Sequence, residues 1–438
     1  MAAKEARGLG SDCEVNDESN TPPVELEDFI GEIDVSLPPD GGLTAWLQVA
    51  SSWLIFFNVL GLLNTYGQFQ TLYETEVLSQ NNPSTIAWIG SVQYLISYVT
   101  CIFTGPIWDA GHVRFLLVTG TVIMVFGLMM LSLCHVYYQF FLAQAVATGI
   151  GFGFVFMPGT AILPQWFTTR GPFAIGVAAT GSSLGAVIYP IMLQRLVPRI
   201  GFPWAVRAIA FMVLATMIMA ASMMRLRIAK NTSKRSLIDL KHLGDLPYLL
   251  VCTGYFIGFS GLYVFYYYIN LYAVDVAGTN SSLAFYLLAM LNSGSFFGRL
   301  LPNYVAGAVG VMNVQILAGV VSSVLAFALL AIKTTTGVIV FTIAYGFASG
   351  PFLSLCISVT TGVSADKSTW GTRLGMSYAF MGLGVLIGSP VAGAIIGEGQ
   401  HKNWTGMILW SGILLMASSM VLIIARIAAR GPVLWIRI

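Results

Sequence analysis

Charge is what this sequence has least of. Only 9% of its 438 residues are Asp, Glu, Lys or Arg, whereas 56% are apolar. A soluble domain carries about 25% charged residues, so most of this chain must be solvated by lipid, and a water-soluble globular protein is excluded. Cysteine is also scarce. The five, at 13, 101, 134, 252 and 356, are scattered, and neither a disulfide framework nor a metal-ligand spacing emerges. The four histidines (112, 135, 242 and 401) fall in or beside loops. An intramembrane enzyme would want His clusters or paired carboxylates within helices, so no enzymatic activity, cofactor or metal is expected. The start has neither a basic n-region nor an apolar h-region, which leaves the first hydrophobic helix as the insertion signal.

The charges that do exist are badly mixed. Of 19 acidic side chains, 11 lie within residues 1–40, opposed only by Lys4 and Arg7, so this segment is −9 and the remainder is +11. Residues 1–42 hold Ser, Asn, Pro, Asp and Glu with almost no periodic apolar pattern, and read as a disordered acidic cytosolic tail.

Beyond residue 42 the chain breaks into apolar stretches of membrane-spanning length, each closed by Gly, Pro or a charge. They cover residues 44–68, 84–106, 113–134, 138–163, 173–194 and 205–225, then 247–272, 283–302, 312–332, 337–361, 372–396 and 405–426. The expected fold is an all-α polytopic membrane protein with twelve transmembrane helices. Its two six-helix bundles, 43–225 and 247–427, are joined by a cytosolic linker at 226–246 and followed by a short basic C-terminus at 428–438. With both termini in the cytosol, the inner side collects 15 Lys and Arg and the outer side five, which satisfies the positive-inside rule. Arg195, Arg199 and Arg207 are a local violation on the outer side. Asn280-Ser281-Ser282 is an outward-facing sequon and marks Asn280 for glycosylation.

The two bundles are copies. Trp166, Arg170, Gly181, Gly185 and Pro190 in the fifth helix are answered by Trp370, Arg373, Gly384, Gly388 and Pro390 in the eleventh, and each Arg precedes its glycines by 11 and 15 residues. The paired glycines are read as close helix-packing sites in lipid. The Gly149-Ile-Gly151-Phe-Gly153 run has the look of a dinucleotide loop, but no strand precedes it and no polar helix follows.

Three stretches carry a family resemblance. Gly105-Pro-Ile-Trp-Asp109-Ala-Gly-His-Val-Arg114 resembles the loop signature between helices two and three of the major facilitator superfamily. Pro39-Asp40-Gly41-Gly42-Leu-Thr-Ala-Trp46 resembles the signature of its monocarboxylate porter branch. The run from Gly151 to Pro190 is similar to fungal members. The resemblance implies two bundles around a central site opened alternately to either side, with Gly105, Asp109 and Arg114 forming a cytosolic latch. In the second half Gly307 replaces the acidic residue, so latching should be asymmetric. Proton-coupled porters of that branch carry an acidic residue one turn before the helix-eight arginine and a lysine in helix one. Here Ser295 and Asn64 stand at those places.

Arg299, the basic residue left over from the inner and outer counts, falls inside the predicted eighth helix. Placing it in lipid costs roughly 2.5–3.5 kcal/mol on insertion scales, so it should face the bundle interior or water. Two readings stand: it pairs with an anionic substrate, or it snorkels to the cytosolic end and caps helices there. Helix seven is rich in aromatics, and Tyr255, Phe259 and Tyr263 share a face. With Asn64 and Tyr66 of helix one and Asn292 and Ser295 of helix eight, they outline a cavity edged by hydroxyls and amides. Such a cavity fits a small-to-mid-sized organic acid or amphipathic metabolite. The expected function is secondary or facilitative transport, preferably export of a fungal secondary metabolite from the plasma membrane. The alternatives are uptake of a monocarboxylate or riboflavin-like solute and, more remotely, a non-transporting receptor or scaffold. The expected partners are the small-molecule solute and the bilayer, not nucleic acid, and the chain is expected to act as a monomer.

Overall fold

A computed structural model describes residues 39–227, 244–364, 369–397 and 402–431, and every regular element among them is helical. The first span, α1, runs Leu43–Asn64 and continues through Tyr66–Leu72 into a π-helical turn at Tyr73–Val77. It is followed by α2 (Pro83–Asp109) and α3 (Val113–Leu131). In α4, Tyr137–Phe140 passes through a π-helical stretch at Phe141–Thr148 into Gly149–Ala161, and a short helix at Leu163–Trp166 follows. The continuous segment Gly171–Met223 is two helices joined where Gly201 takes φ 75°, ψ 161°. They are α5 (171–200) and α6 (202–223).

The second set is α7 (Leu246–Leu262 and Val264–Asp275), α8 (Ser281–Val309), α9 (Val311–Ala328), α10 (Thr335–Gly362), α11 (Trp370–Ile396) and α12 (Trp404–Arg430). Ten segments qualify as membrane spans by length and apolarity. Splitting the Gly201 segment and adding α8, whose interior carries Arg299, Asn292 and Asn303, brings the count to twelve.

Helix ends follow local chemistry. The side chains of Asn280, Thr334 and Asn403 accept N–H bonds from Ser282, Gly337 and Gly406 at the starts of α8, α10 and α12. Asn280 is exposed, and its Oδ1 serves as this cap. Exposed apolar side chains such as Val122 on α3, Ile218 on α6, Leu317 on α9 and Ile413 on α12 form the lipid-facing surface. Among the outer-side arginines of the sequence, Arg207 is held over the Trp204 ring at 4.9 Å, and its Nε donates to Ser132.

The repeat governs packing. A Cβ on Gly181 would collide with the Trp53 carbonyl and one on Gly185 with that of Phe57, so α5 lies backbone to backbone on α1. Gly384 and Gly388 meet the Phe256 and Ser260 carbonyls in the same way, seating α11 on α7. Gly151 packs on Met124 of α3 and Gly153 on Ser97 and Thr100 of α2. That run is a three-helix contact, not a nucleotide loop.

The tail expected over 1–42 ends sooner. Asp40 belongs with the folded unit, which runs from Asp40 onward, because its carboxylate is bound to the start of α5. Helix α12 likewise reaches Arg430, past the expected boundary at 427. Residues 1–38, most of the 226–246 linker and residues 432–438 lie outside the described residues.

Candidate functional site

The twelve helices leave a cavity at their centre, about 40 Å³ open to the centre of a water molecule. That exceeds the ~10–15 Å³ one water needs, but it is far below a ligand pocket of roughly 300–1,000 Å³, so the site is closed down around little more than solvent. Both halves contribute to it. Phe56, Leu60 and Asn64 come from α1, Tyr98 from α2, Phe156 from α4 and Ala179 from α5. The second half supplies Phe259 and Tyr263 from α7, Arg299 from α8, Ser354 and Cys356 from α10, and Tyr378 and Met381 from α11. No carboxylate is among the described lining residues.

Arg299 is 3% exposed. Its Nη1 donates to the Ala179 carbonyl at 2.6 Å and to the Ser182 hydroxyl, both on α5. Its Nε has no partner among the described residues. A buried guanidinium is tolerated only when its N–H groups are satisfied, so one further acceptor is called for. The snorkelling reading is therefore set aside: Arg299 ends in the central cavity, with Tyr98, Tyr263 and Tyr266 as its electrostatic neighbours.

The sequence-selected residues divide. Arg299, Asn64, Phe259 and Tyr263 line the cavity, and Asn64 Oδ1 accepts from the Tyr94 hydroxyl at 2.9 Å. Tyr66, Tyr255, Asn292 and Ser295 do not line it. Tyr66 donates to the Ile86 carbonyl at 2.5 Å, Tyr255 to that of Cys356 at 3.2 Å, and the Asn292 amide to Leu288 within its own helix. Ser295 is fully buried, and its backbone packs closely on Gly346 and Gly350 of α10. Each hydroxyl or amide hydrogen bond here joins or braces helices, the usual use of polar groups in a membrane interior. Sequence reasoning missed Tyr98, Phe156 and Tyr378, whose helices show little facial contrast between apolar and polar residues.

At one end of the molecule Asp109, the last residue of α2, accepts the Gly371 N–H at 2.9 Å and, on its other oxygen, the Thr372 N–H at 2.9 Å and Thr372 Oγ1 at 2.8 Å. These are free N–H groups at the start of α11, where the helix dipole favours an anion. Gly105 permits the approach, since a Cβ there would strike the Gly371 carbonyl. Arg114 is exposed and takes no part in these bonds. At the same end Asn303 of α8 donates to the Pro172 carbonyl of α5 at 3.2 Å.

Asp40 makes the corresponding contact on α5. It accepts from Thr168 N at 2.6 Å, Thr168 Oγ1 at 2.7 Å and Thr169 Oγ1 at 2.9 Å. Burial pushes its carboxyl up, but these bonds outweigh it and hold the group at about 2. In α7 and α11, Arg373 pairs with Asp245 at 2.9 Å and lies over the Tyr248 ring. Asp275, at the far end of α7, is bound to Lys402 at 2.5 Å. The four described cysteines are buried and free.

Twelve spans in two repeats, a central cavity lined from both, and a carboxylate bridging them at one end define a polytopic solute transporter rather than an enzyme. The family model of the Major Facilitator Superfamily matches residues 42–360, and the chain belongs to that superfamily. It is 40% identical over 386 residues to the MFS-type transporter dbaD of Emericella nidulans, covering 88% of this chain and 87% of the relative. It is 33% identical to the agnestins efflux protein AgnL12 of Paecilomyces divaricatus, covering 91% and 92%. Its fold resembles the crystal structure of the transporter FucP in the outward conformation, with TM-score 0.66, 16% identity and coverage of 88% and 98%.

Proposed function

We propose that this transporter exports a small-to-mid-sized organic acid or amphipathic secondary metabolite by alternating access, with Arg299 as the anion-binding group. The observation that carries this reading is the Arg299 Nε, buried at the cavity wall with no acceptor of its own and no carboxylate among the described lining residues. A substrate carboxylate or enolate would supply the missing acceptor in a charge-assisted hydrogen bond. The efflux proteins among its relatives support the outward direction. The signature around Asp40 supports placement in the monocarboxylate porter branch.

In the same reading the Asp109 end faces the cytosol, with both termini on that side and the protein in the plasma membrane. The two bundles comprise α1–α6 and α7–α12, and Asn280 lies outside, where glycosylation would occur. Gly105 and Asp109 form the latch that holds the cytosolic side shut. Because the described lining residues include no carboxylate to carry a proton, coupling to a pH gradient is weak. Reconstituted vesicles challenged with carboxylates, flavins and polyketide-like acids, with and without a pH gradient, test the substrate class. Retention of a metabolite inside a deletion strain tests the direction, and normal release would overturn export.

A further inference from the structure

Two tyrosines, one from each half, meet at the cavity. Tyr98 of α2 and Tyr378 of α11 have ring centroids 6.0 Å apart and planes within 24° of parallel. Phe156 of α4 closes on the Tyr378 ring at 5.0 Å and on the Tyr98 ring at 5.9 Å. All three border the same cavity as Arg299. Of the described lining residues, Arg299 at Nε and Tyr378 at its hydroxyl each hold a buried polar atom without a hydrogen-bond partner. Thr160 lies beside the phenol, but its hydroxyl donates to the Met157 carbonyl and stands outside hydrogen-bond geometry with Tyr378. A buried phenol normally finds a partner, so an unfilled one marks where a ligand's acceptor would be welcome. A small aliphatic acid would satisfy the donors and leave the rings unused. A flat π-system uses both.

We propose that Tyr98 and Tyr378 form a specificity clamp for a flat aromatic acid. Its ring layers against the tyrosines, with Phe156 at the edge, and its acidic and phenolic oxygens accept from Arg299 Nε and Tyr378 Oη. The proposal rests on the reading of Arg299 as the anion site. Rings on either side of a third have centroids about 7 Å apart, twice a ~3.5 Å contact, so the pair must part beyond its present 6.0 Å to admit one. Because the two rings belong to opposite halves, loading the clamp acts directly on the interface that alternating access must open.

The test crosses flatness with charge. Binding of 2-naphthoate, its fully saturated decahydro counterpart and the two corresponding amides is measured by titration of the purified full-length protein in nanodiscs. 2-Naphthoate should bind about tenfold more tightly than the saturated acid. That ratio should fall below about twofold in Tyr98→Leu and Tyr378→Leu, and should persist in Tyr378→Phe, which keeps the ring and loses only a hydroxyl that 2-naphthoate, having no phenolic oxygen, does not engage. Equal binding of both acids by the unaltered protein, which needs no variant to fold, overturns the clamp while leaving the anion site intact. An unchanged ratio in the leucine variants does the same. Amides that bind as tightly as acids overturn the anion site, and with it the acid half of this proposal, and the flat-to-saturated ratio then judges the rings alone. Absence of binding by all four probes overturns both.

Discussion

Asp40 and Asp109 carry out the same electrostatic task on equivalent helices, but only one of them joins the two halves. The repeat offset of 203, which carries Arg170 to Arg373, also carries Thr168 and Thr169 to Gly371 and Thr372. Asp40 holds the first pair from within its own half, and Asp109 reaches the second from the other half. Gly307, standing where α8 would offer a matching carboxylate, instead approaches the Thr169 carbonyl. In the proposed latch the asymmetry takes this form: α5 is capped from within its own half, and α11 from the other.

Asp109→Asn should speed opening at this end and leave substrate affinity little changed. Losing a charged helix-terminal acceptor is worth about 0.5–2 kcal/mol, so the closed-to-open ratio should fall about 2- to 30-fold. Labelling of a single cysteine introduced near Gly371 reads that ratio. A pure change in the apparent substrate constant, with labelling unaltered, contradicts the latch.

Arg299→Ala should cut transport of anionic substrates about 10- to 150-fold, the range for a charge-assisted hydrogen bond, while the protein still reaches the membrane. Arg299→Lys should recover part of the loss, because a charge returns without the planar fork. Vesicle uptake normalised to reconstituted protein is the measurement, and unchanged transport removes Arg299 from the binding site.

A tenfold proton gradient should change the initial rate by less than about twofold, because the described lining has no group that titrates near neutrality. Glu74→Gln and Asp275→Asn should behave as the unaltered protein does. Steep acceleration by the gradient, lost in either variant, would place the coupling site at the ends of α1 or α7.

Asp40→Asn should lower thermal stability at pH 7. The Asp40 carboxyl is held at about 2, below its ordinary 3.8. Its folded pKa is depressed, so its contribution is fully present above pH 3.8 and is lost as pH falls through 2. The gap in melting temperature between the two proteins should therefore close between pH 4 and pH 2. A gap that stays constant over this range would mean that shape, not charge, holds α5.

The sequence by itself determined the solvent, the span count, the repeat and the isolation of Arg299. Each is written in local runs of apolar residues, in fixed spacings or in the cost of a charge in lipid. It also marked Asp40 and Asp109 as notable without showing what they bind, because the partner of Asp109 is 262 residues away. Only tertiary structure decided which aromatic residues see the cavity. Helices surrounded by lipid and by one another are apolar on all sides, so periodicity cannot separate Tyr66, spent on the Ile86 carbonyl, from Tyr378, left open at the centre. That choice depends on which backbones approach at Gly181, Gly185, Gly384 and Gly388, and hence on contacts between distant segments rather than on any one stretch of chain.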